Sequence, residues 1–211
     1  MTHWPPFDLA VRTPRVELRG ATDDLREELV ALLDRVMSDE EAPFDDPFSL
    51  YEAPPQRVRV WMQRQWGMQA NLSPDDWRLY FAVIVDGRAV GMQDLGAQAF
   101  PALRTVHTFS WLVRDARGRG IGTEMRSAVL HLAFAGLDAI RATSEAFVDN
   151  DGSNGVSRSL GYEPNGTSWA TRRGEPGTMQ RWLLTRDAWA LRRRDDIEIV
   201  GLEACRGLLG A

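Results

Sequence analysis

The 211-residue sequence predicts an α/β (α+β) fold, a mixed and mostly antiparallel sheet of about seven strands with helices on both faces. Three observations predict it. Alternating and β-branched runs are separated by turn-forming dipeptides. Apolar residues at helical spacing mark segments before and after the longest strands. The resulting order is strand, two helices, three strands, helix, strand, helix, two strands, with no internal repeat and no low-complexity segment.

Val16-Glu17-Leu18-Arg19 alternates and predicts a short first strand. Thr22 is placed to cap a helix, with Asp23 and Asp24 favourable in its first turn. Leu25, Leu29, Leu32, Leu33 and Val36 follow on one face. Residues 38–55, rich in proline and acid, predict a loop. A second helix is expected over 56–69, with Val58, Trp61, Met62 and Trp66 on its buried side. Strands over 79–85 and 88–95 flank Asp86-Gly87, a two-residue hairpin signature, and 106–113 makes a third long strand. A helix over 120–136 turns Ile121, Met125, Ala128, Val129 and Leu132 inward. A strand over 139–147, a short helix over 152–160 and a hairpin of 162–171 with 179–185 complete the sheet. A short helix over 187–194 leads into a tail in which Leu202, Leu208 and Leu209 are available to pack. The expected organisation is one domain over 1–211, with its core at 16–185, an N-terminal extension at 1–15 and a C-terminal tail at 186–211.

Composition narrows the chemistry. All 25 basic residues are arginine, so there is no P-loop lysine, no Schiff-base lysine and no lysine nucleophile. One cysteine, Cys205, allows neither an intrachain disulfide nor a multi-cysteine metal cluster, and three histidines make a histidine-rich metal site unexpected. The net charge of −5 disfavours nucleic-acid binding. No apolar run approaches the roughly 20 residues of a membrane span, and the N-terminus lacks a signal-peptide pattern, so the expected location is cytoplasmic. The charge is uneven: 11 acidic residues and two arginines fall between 21 and 52. That segment is either a solvated helix face and loop or a rim that attracts a cation.

The most informative segment is Arg117-Gly118-Arg119-Gly120-Ile121-Gly122-Thr123, between a strand and an amphipathic helix. Glycines let a ligand approach the backbone, and a helix N-terminus offers unpaired N–H groups and a positive dipole end. Together they suit a pyrophosphate, and Arg114, Arg117 and Arg119 add charge beside it. The spacing is neither a P-loop nor a Rossmann fingerprint.

Arg117-Gly118-Arg119-Gly120-Ile121-Gly122 resembles the acyl-CoA signature of the GNAT superfamily of N-acetyltransferases, R/Q-x-x-G-x-G/A, with Arg117, Gly120 and Gly122 in its fixed positions. Asn150-Asp151-Gly152-Ser153, then Val156, then Leu160-Gly161-Tyr162 is similar to the N-x-x-S…V…L-G-F/Y block of the subgroup that includes ribosomal-protein N-terminal acetyltransferases. Phe109-Ser110-Trp111-Leu112 and Thr123-Glu124 also resemble that subgroup, and the likeness covers about 16–185.

The resemblance implies acetyl-CoA as donor and an amine as acceptor, and the composition leaves no metal expected. It implies N–H groups of Gly118, Arg119, Gly120, Ile121, Gly122 and Thr123 on the pyrophosphate. It also implies Leu112, Val113 and Arg114 along the pantetheine, with a backbone N–H near Leu112 as oxyanion donor. Asn150 maps to a CoA-contacting asparagine, or caps the short helix. For proton transfer, Glu145 borders the cleft as a candidate base or faces outward. His107 lies on the other bordering strand, and alternation alone leaves its face open. Ser157, itself expected at the CoA, stands where many members carry a tyrosine acid, a departure from the pattern. Ser153 is the subgroup's serine near the thiol, and equally a helix cap. Tyr162 is expected in the core and Cys205 inert. The acceptor side is expected from the first two helices, the acidic loop and the closing hairpin, with Trp61, Trp66, Phe44, Phe48, Tyr51 and Trp169 as candidates.

The expected function is N-acetyl transfer to a protein, peptide or small-molecule amine, a polyamine or amine antibiotic among them. An acyl-CoA-binding sensor without catalysis is the alternative, and a nucleotide-binding module the weaker one. No nucleic-acid or membrane partner is expected, and a homodimer is left open.

Overall fold

The computed structural model describes residues 3–36, 53, 55–172 and 174–211. The chain begins with strands β1 (Ala10–Arg12) and β2 (Glu17–Gly20), then helices α1 (Asp23–Val30) and α2 (Gln56–Ala70). Strands β3 (Asp76–Val85) and β4 (Arg88–Gln98) form the long central hairpin. A single turn, α3 (Phe100–Leu103), leads to β5 (Thr105–His107) and β6 (Ser110–Leu112). Helix α4 (Ile121–His131), β7 (Arg141–Phe147), α5 (Asp151–Ser159), β8 (Glu163–Arg172) and β9 (Glu175–Thr185) follow. The chain closes with α6 (Arg186–Ala190), β10 (Glu198–Val200) and α7 (Arg206–Leu209).

Among the described residues the sheet has ten strands, ordered β10-β1-β2-β3-β4-β5-β7-β9-β8, with β6 also paired to β4. Among the described residues, only the β5–β7 pair is parallel. The class agrees with the sequence, but the strand count exceeds the expected seven. Two additions, β1 and β10, pair with each other at 10–12 and 198–200, in segments read as extension and tail. Three-residue strands are too short to show a period in sequence. The third addition comes from the expected strand 106–113, which is interrupted at 108–109 and divides into β5 and β6.

Helix ends follow local chemistry. Thr22 Oγ1 accepts from the Leu25 N–H at 3.3 Å, so α1 starts where a capping residue stands. Its first-turn Asp23 pairs with buried Arg26 at 2.6 Å. On α2, Trp61 and Met62 face inward as expected, but Trp66 is largely exposed and its indole N–H donates to Asp23. The expected helix over 187–194 stops at Ala190. The acidic loop lies almost wholly outside the described residues, as do Phe44, Phe48 and Tyr51.

The sheet separates two apolar layers. Leu18, Phe81, Val106, Leu112, Met125 and Val129 pack on the α4 side. Leu29, Trp61, Met62, Tyr80, Met92 and Trp111 pack on the α1–α2 side. Alternation along β3, β4, β5 and β6 sends successive side chains to opposite layers, and this fixes which groups meet on each side.

Candidate active site

The site begins with a pairing fault in the sheet. β4 pairs with β5 at 96–97 and with β6 at 91–93. β5 pairs onward to β7 at 105–107 with 141–143, and the Thr108 N–H reaches the Thr143 carbonyl at 3.3 Å. Beyond that point β6 stays with β4 while β7 continues with β9, so a wedge opens between β6 and β7. The interruption has a local cause. Asp94 donates its N–H to the Phe109 carbonyl, but the Phe109 N–H goes to Asp94 Oδ1 at 2.5 Å instead of a ladder carbonyl.

The bonds that remain, Asp94 N–H to Phe109 O and Val113 N–H to Val90 O, set the phase of β6. Residues 109, 111 and 113 face β4 with their backbone groups. Ser110 and Leu112 therefore turn their N–H groups toward the wedge. Gly91 permits this approach, since a Cβ there would lie 2.2 Å from the Trp111 carbonyl oxygen.

The glycine loop closes one end. Gly118 (φ 70°) and Gly120 (φ 78°) are left-handed, and a Cβ on Gly118 would meet nothing within 4 Å. Gly120 caps α4, and the Glu124 N–H returns to its carbonyl at 3.1 Å. The N–H groups of 121–123 have no partner within the helix. The loop is held from behind. Arg117 donates through Nε to the Leu112 carbonyl at 3.1 Å and through Nη2 to the Val36 carbonyl. Arg15 reaches across to Glu124 at 2.6 Å and to the Arg119 carbonyl. Burial alone would raise the pKa of Glu124, but hydrogen bonds from Thr13 and Arg15 outweigh it and hold the carboxyl below its usual range.

A cleft of about 1240 Å³ runs from this loop through the wedge to the α2 side. Leu112, Arg117, Gly118, Gly120, Gly122, Thr123, Asn150 and Ser153 line it. Val113 and Ile121 are buried in the core, and Arg114 and Arg119 point to solvent outside it. Asn150 Oδ1 accepts from the Ser153 N–H at 3.0 Å, so it caps α5 while standing at the cleft wall. Ser157 is fully buried, its Oγ has no hydrogen-bond partner among the described residues, and it does not line the cleft.

Register resolves the faces. Gly96 stands opposite His107, and Tyr80 opposite Asp94, which places His107 and Asp94 on the α1–α2 face. His107 pairs in register with Thr143, so Glu145 shares that face. Glu145 is exposed at the rim and accepts from Ser168 Oγ at 3.3 Å. His107 is pushed down to about 4, first by burial and then by the Arg78 charge, so its ring is neutral near pH 7. Trp61 lines this side as expected, whereas Trp66 and Trp169 do not line the cleft.

Three functional-looking residues escape a sequence reading. Asp94 is completely buried, with Oδ2 3.5 Å from Arg78 Nε, and burial pushes it up to about 6 against the opposing Arg78 charge. A lone carboxylate between Met92 and Leu95 in a strand is the signal that marks it. Arg126 is buried on α4 and donates to Ser144 Oγ at 3.1 Å and Ser110 Oγ at 3.3 Å. Asn154 ties α5 to β7 and β9 through the Phe147 carbonyl and the Trp182 indole, both at 2.9 Å. Nothing in the sequence distinguishes Arg126 or Asn154 from ordinary helix polar residues.

Known proteins share this fold. RimJ from Mycobacterium smegmatis, solved with a CoA disulfide, is 20% identical with a TM-score of 0.71, over 93% of this chain and 99% of its own. A ribosomal-protein-S5-alanine acetyltransferase from Vibrio fischeri is 15% identical with a TM-score of 0.68, over 85% and 98%. RimL, a ribosomal L7/L12 α-N-protein acetyltransferase solved with CoA, is 20% identical with a TM-score of 0.64, over 83% and 97%. At these identities the likeness is one of fold. The family described as the acetyltransferase (GNAT) domain matches residues 15–163, which takes in the glycine loop, both strands of the wedge and α5. The chain therefore belongs to the GNAT acetyltransferases, acyltransferases that draw their acyl group from acetyl-CoA.

Proposed function

We propose that this protein acetylates a primary amine by direct attack of the amine on the acetyl-CoA thioester. The observation that carries the reading is the wedge between β6 and β7, with a left-handed glycine turn and a helix N-terminus at its mouth. The chain's residues fit the donor. N–H groups from Gly118 to Thr123 receive the pyrophosphate. The wedge-facing backbone groups of Ser110 and Leu112 receive the pantetheine, which runs along β6 as an added strand, and one of those N–H groups faces the oxyanion. Ser153, in the first turn of α5, offers a hydroxyl to the pantetheine arm.

The acceptor enters from the α1–α2 face, between Trp61, Tyr80, Met92 and Asp94. An ammonium must lose a proton before its nitrogen can attack. Asp94 is the proposed base, because its carboxyl titrates near 6 and stands where the strand divides. His107 is a weak base at about 4. Glu145, at the rim, is placed to pass the proton to solvent. The acceptor class is a peptide or protein α-amine, or a small amine that fits the same cleft. The ribosomal-protein acetyltransferases among the structural neighbours favour the first. The site of action is proposed to be the cytoplasm.

Ser157, standing where many members carry a tyrosine, supports a second reading as an acyl-CoA sensor. Calorimetric titration with acetyl-CoA tests the site shared by both. Wild type is expected to bind, and Gly120→Asp to lose binding at least about tenfold, since the carboxylate meets the pyrophosphate. Unchanged affinity would remove the loop from the site.

A further inference from the structure

We propose that the buried guanidinium of Arg126 holds the charge of the departing CoA thiolate, the task that the missing tyrosine leaves open at Ser157. The proposal rests on the acetyl-CoA reading above.

Arg126 is 4% exposed, projects from α4 into the closed end of the wedge and lines the cleft. Its two terminal nitrogens bridge the splayed strands, one to Ser110 on β6 and one to Ser144 on β7. Among the described residues it makes no ion pair with a carboxylate, and its Nε has no hydrogen-bond acceptor. The Tyr162 hydroxyl lies close to it and to the Thr108 hydroxyl, and among the described residues neither hydroxyl makes a hydrogen bond of full geometry. Burial pushes the Tyr162 phenol up, so that hydroxyl remains a donor. A guanidinium and four hydroxyls thus converge with no carboxylate in direct contact among the described residues, and Asp94 acts on Arg126 only from across the sheet. A buried cation without a direct partner is costly, and an anion seated against it lowers that cost.

The position of the cluster selects the anion. Ser110 and Ser144 face the α4 layer, whereas Asp94, His107 and Glu145 face the α1–α2 layer. A pantetheine laid along β6 from the glycine loop ends at the point where Thr108 and Thr143 close the wedge. Its sulfur then meets Arg126 on one side of the sheet, and the amine approaches from the other. In the step itself, the amine nitrogen forms the new N–C bond and its proton passes to the base on the acceptor face. The C–S bond breaks and the sulfur leaves with the electron pair as a thiolate, paired with Arg126. That thiolate takes a proton from solvent after release. No acid on the α4 face is required.

The titratable groups nearest Arg126 are Tyr162 on its own side and Asp94 across the sheet. A spectroscopic titration of the bound CoA thiol reads the thiolate directly. Thiolate absorbance is followed against pH for CoA bound to the wild-type protein, with desulfo-CoA as the blank. The expected result is a thiol midpoint about 1–3 pH units below that of free CoA. Arg126→Gln is expected to lose the displacement while still binding CoA through the glycine loop, and Arg126→Lys to keep part of it. A wild-type midpoint equal to that of free CoA overturns the proposal, whether or not the variants fold. So does an equal displacement in Arg126→Gln. Failure of the wild type to bind CoA at all removes the acetyl-CoA reading with it, whereas binding without displacement removes this proposal alone.

Discussion

Asp94 and His107 stand on one face of the sheet, and burial moves their pKa values in opposite directions. Asp94 rises to about 6, so the folded protein holds its proton more tightly than the unfolded chain does. Stability from this group is present below its ordinary pKa of 3.8 and is lost as pH rises through about 6. His107 falls to about 4, so the folded protein favours the neutral ring, and its stability is lost as pH falls from 6.5 toward 4. The two effects oppose each other and are of similar size. Wild-type stability is therefore expected to be nearly flat from these groups between pH 4 and 6. In Asp94→Asn only the histidine remains, and urea midpoints are expected to fall on acidification across that window. In catalysis, log kcat/KM, taken on the free-amine concentration, is expected to rise with unit slope below about pH 6 and to level above it in the wild type. Asp94→Asn is expected to lose that limb and about 10²–10⁴-fold in rate. A retained limb removes Asp94 as the base.

The elements were legible in sequence wherever a period had room to repeat. The α4 stripe, the 76–85 and 88–98 hairpin around Asp86-Gly87 and the Thr22 cap all follow from spacing and turn chemistry. The wedge was not legible, because it depends on which strand keeps which partner. The 106–113 run looks continuous in sequence, whereas in the fold the Asp94 carboxylate takes the Phe109 N–H where the strand divides. The faces of His107 and Glu145 were open for the same reason, since alternation fixes parity and register fixes side. The wedge also depends on Gly91. Gly91→Ala sets a Cβ against the Trp111 and Leu112 backbone and is expected to cost about 1–3 kcal/mol of stability, read from urea denaturation. The same change should weaken CoA binding, because β6 must shift. Gly118→Ala meets no atom and carries only the left-handed strain of about 1–2 kcal/mol, so it separates backbone preference from collision.

Across the whole molecule the net charge of −5 conceals an arginine-rich donor side, with loop and strands held by Arg15, Arg117 and Arg126. The segments outside the expected core complete the sheet: β1 pairs with β10, and the Trp77 indole donates to the Leu209 carbonyl at 3.0 Å. Cys205 is buried beside them, and burial raises its thiol to about 11, which agrees with an inert residue. The absence of lysine leaves a purified sample with no ε-amine of its own, so acetyl transfer to an added amine can be read without that background. In the proposed reaction the two faces of the sheet meet at one wedge, donor from the α4 side and amine from the α1–α2 side. The decisive measurement is thiol release from acetyl-CoA against a panel of peptide N-termini and small amines, with product confirmed by mass. Release is expected to require both acetyl-CoA and an amine, to match N-acetylated product mole for mole and to disappear in Gly120→Asp. Tight acetyl-CoA binding with no amine-dependent release across the panel would contradict the proposed reaction and leave the acyl-CoA sensor.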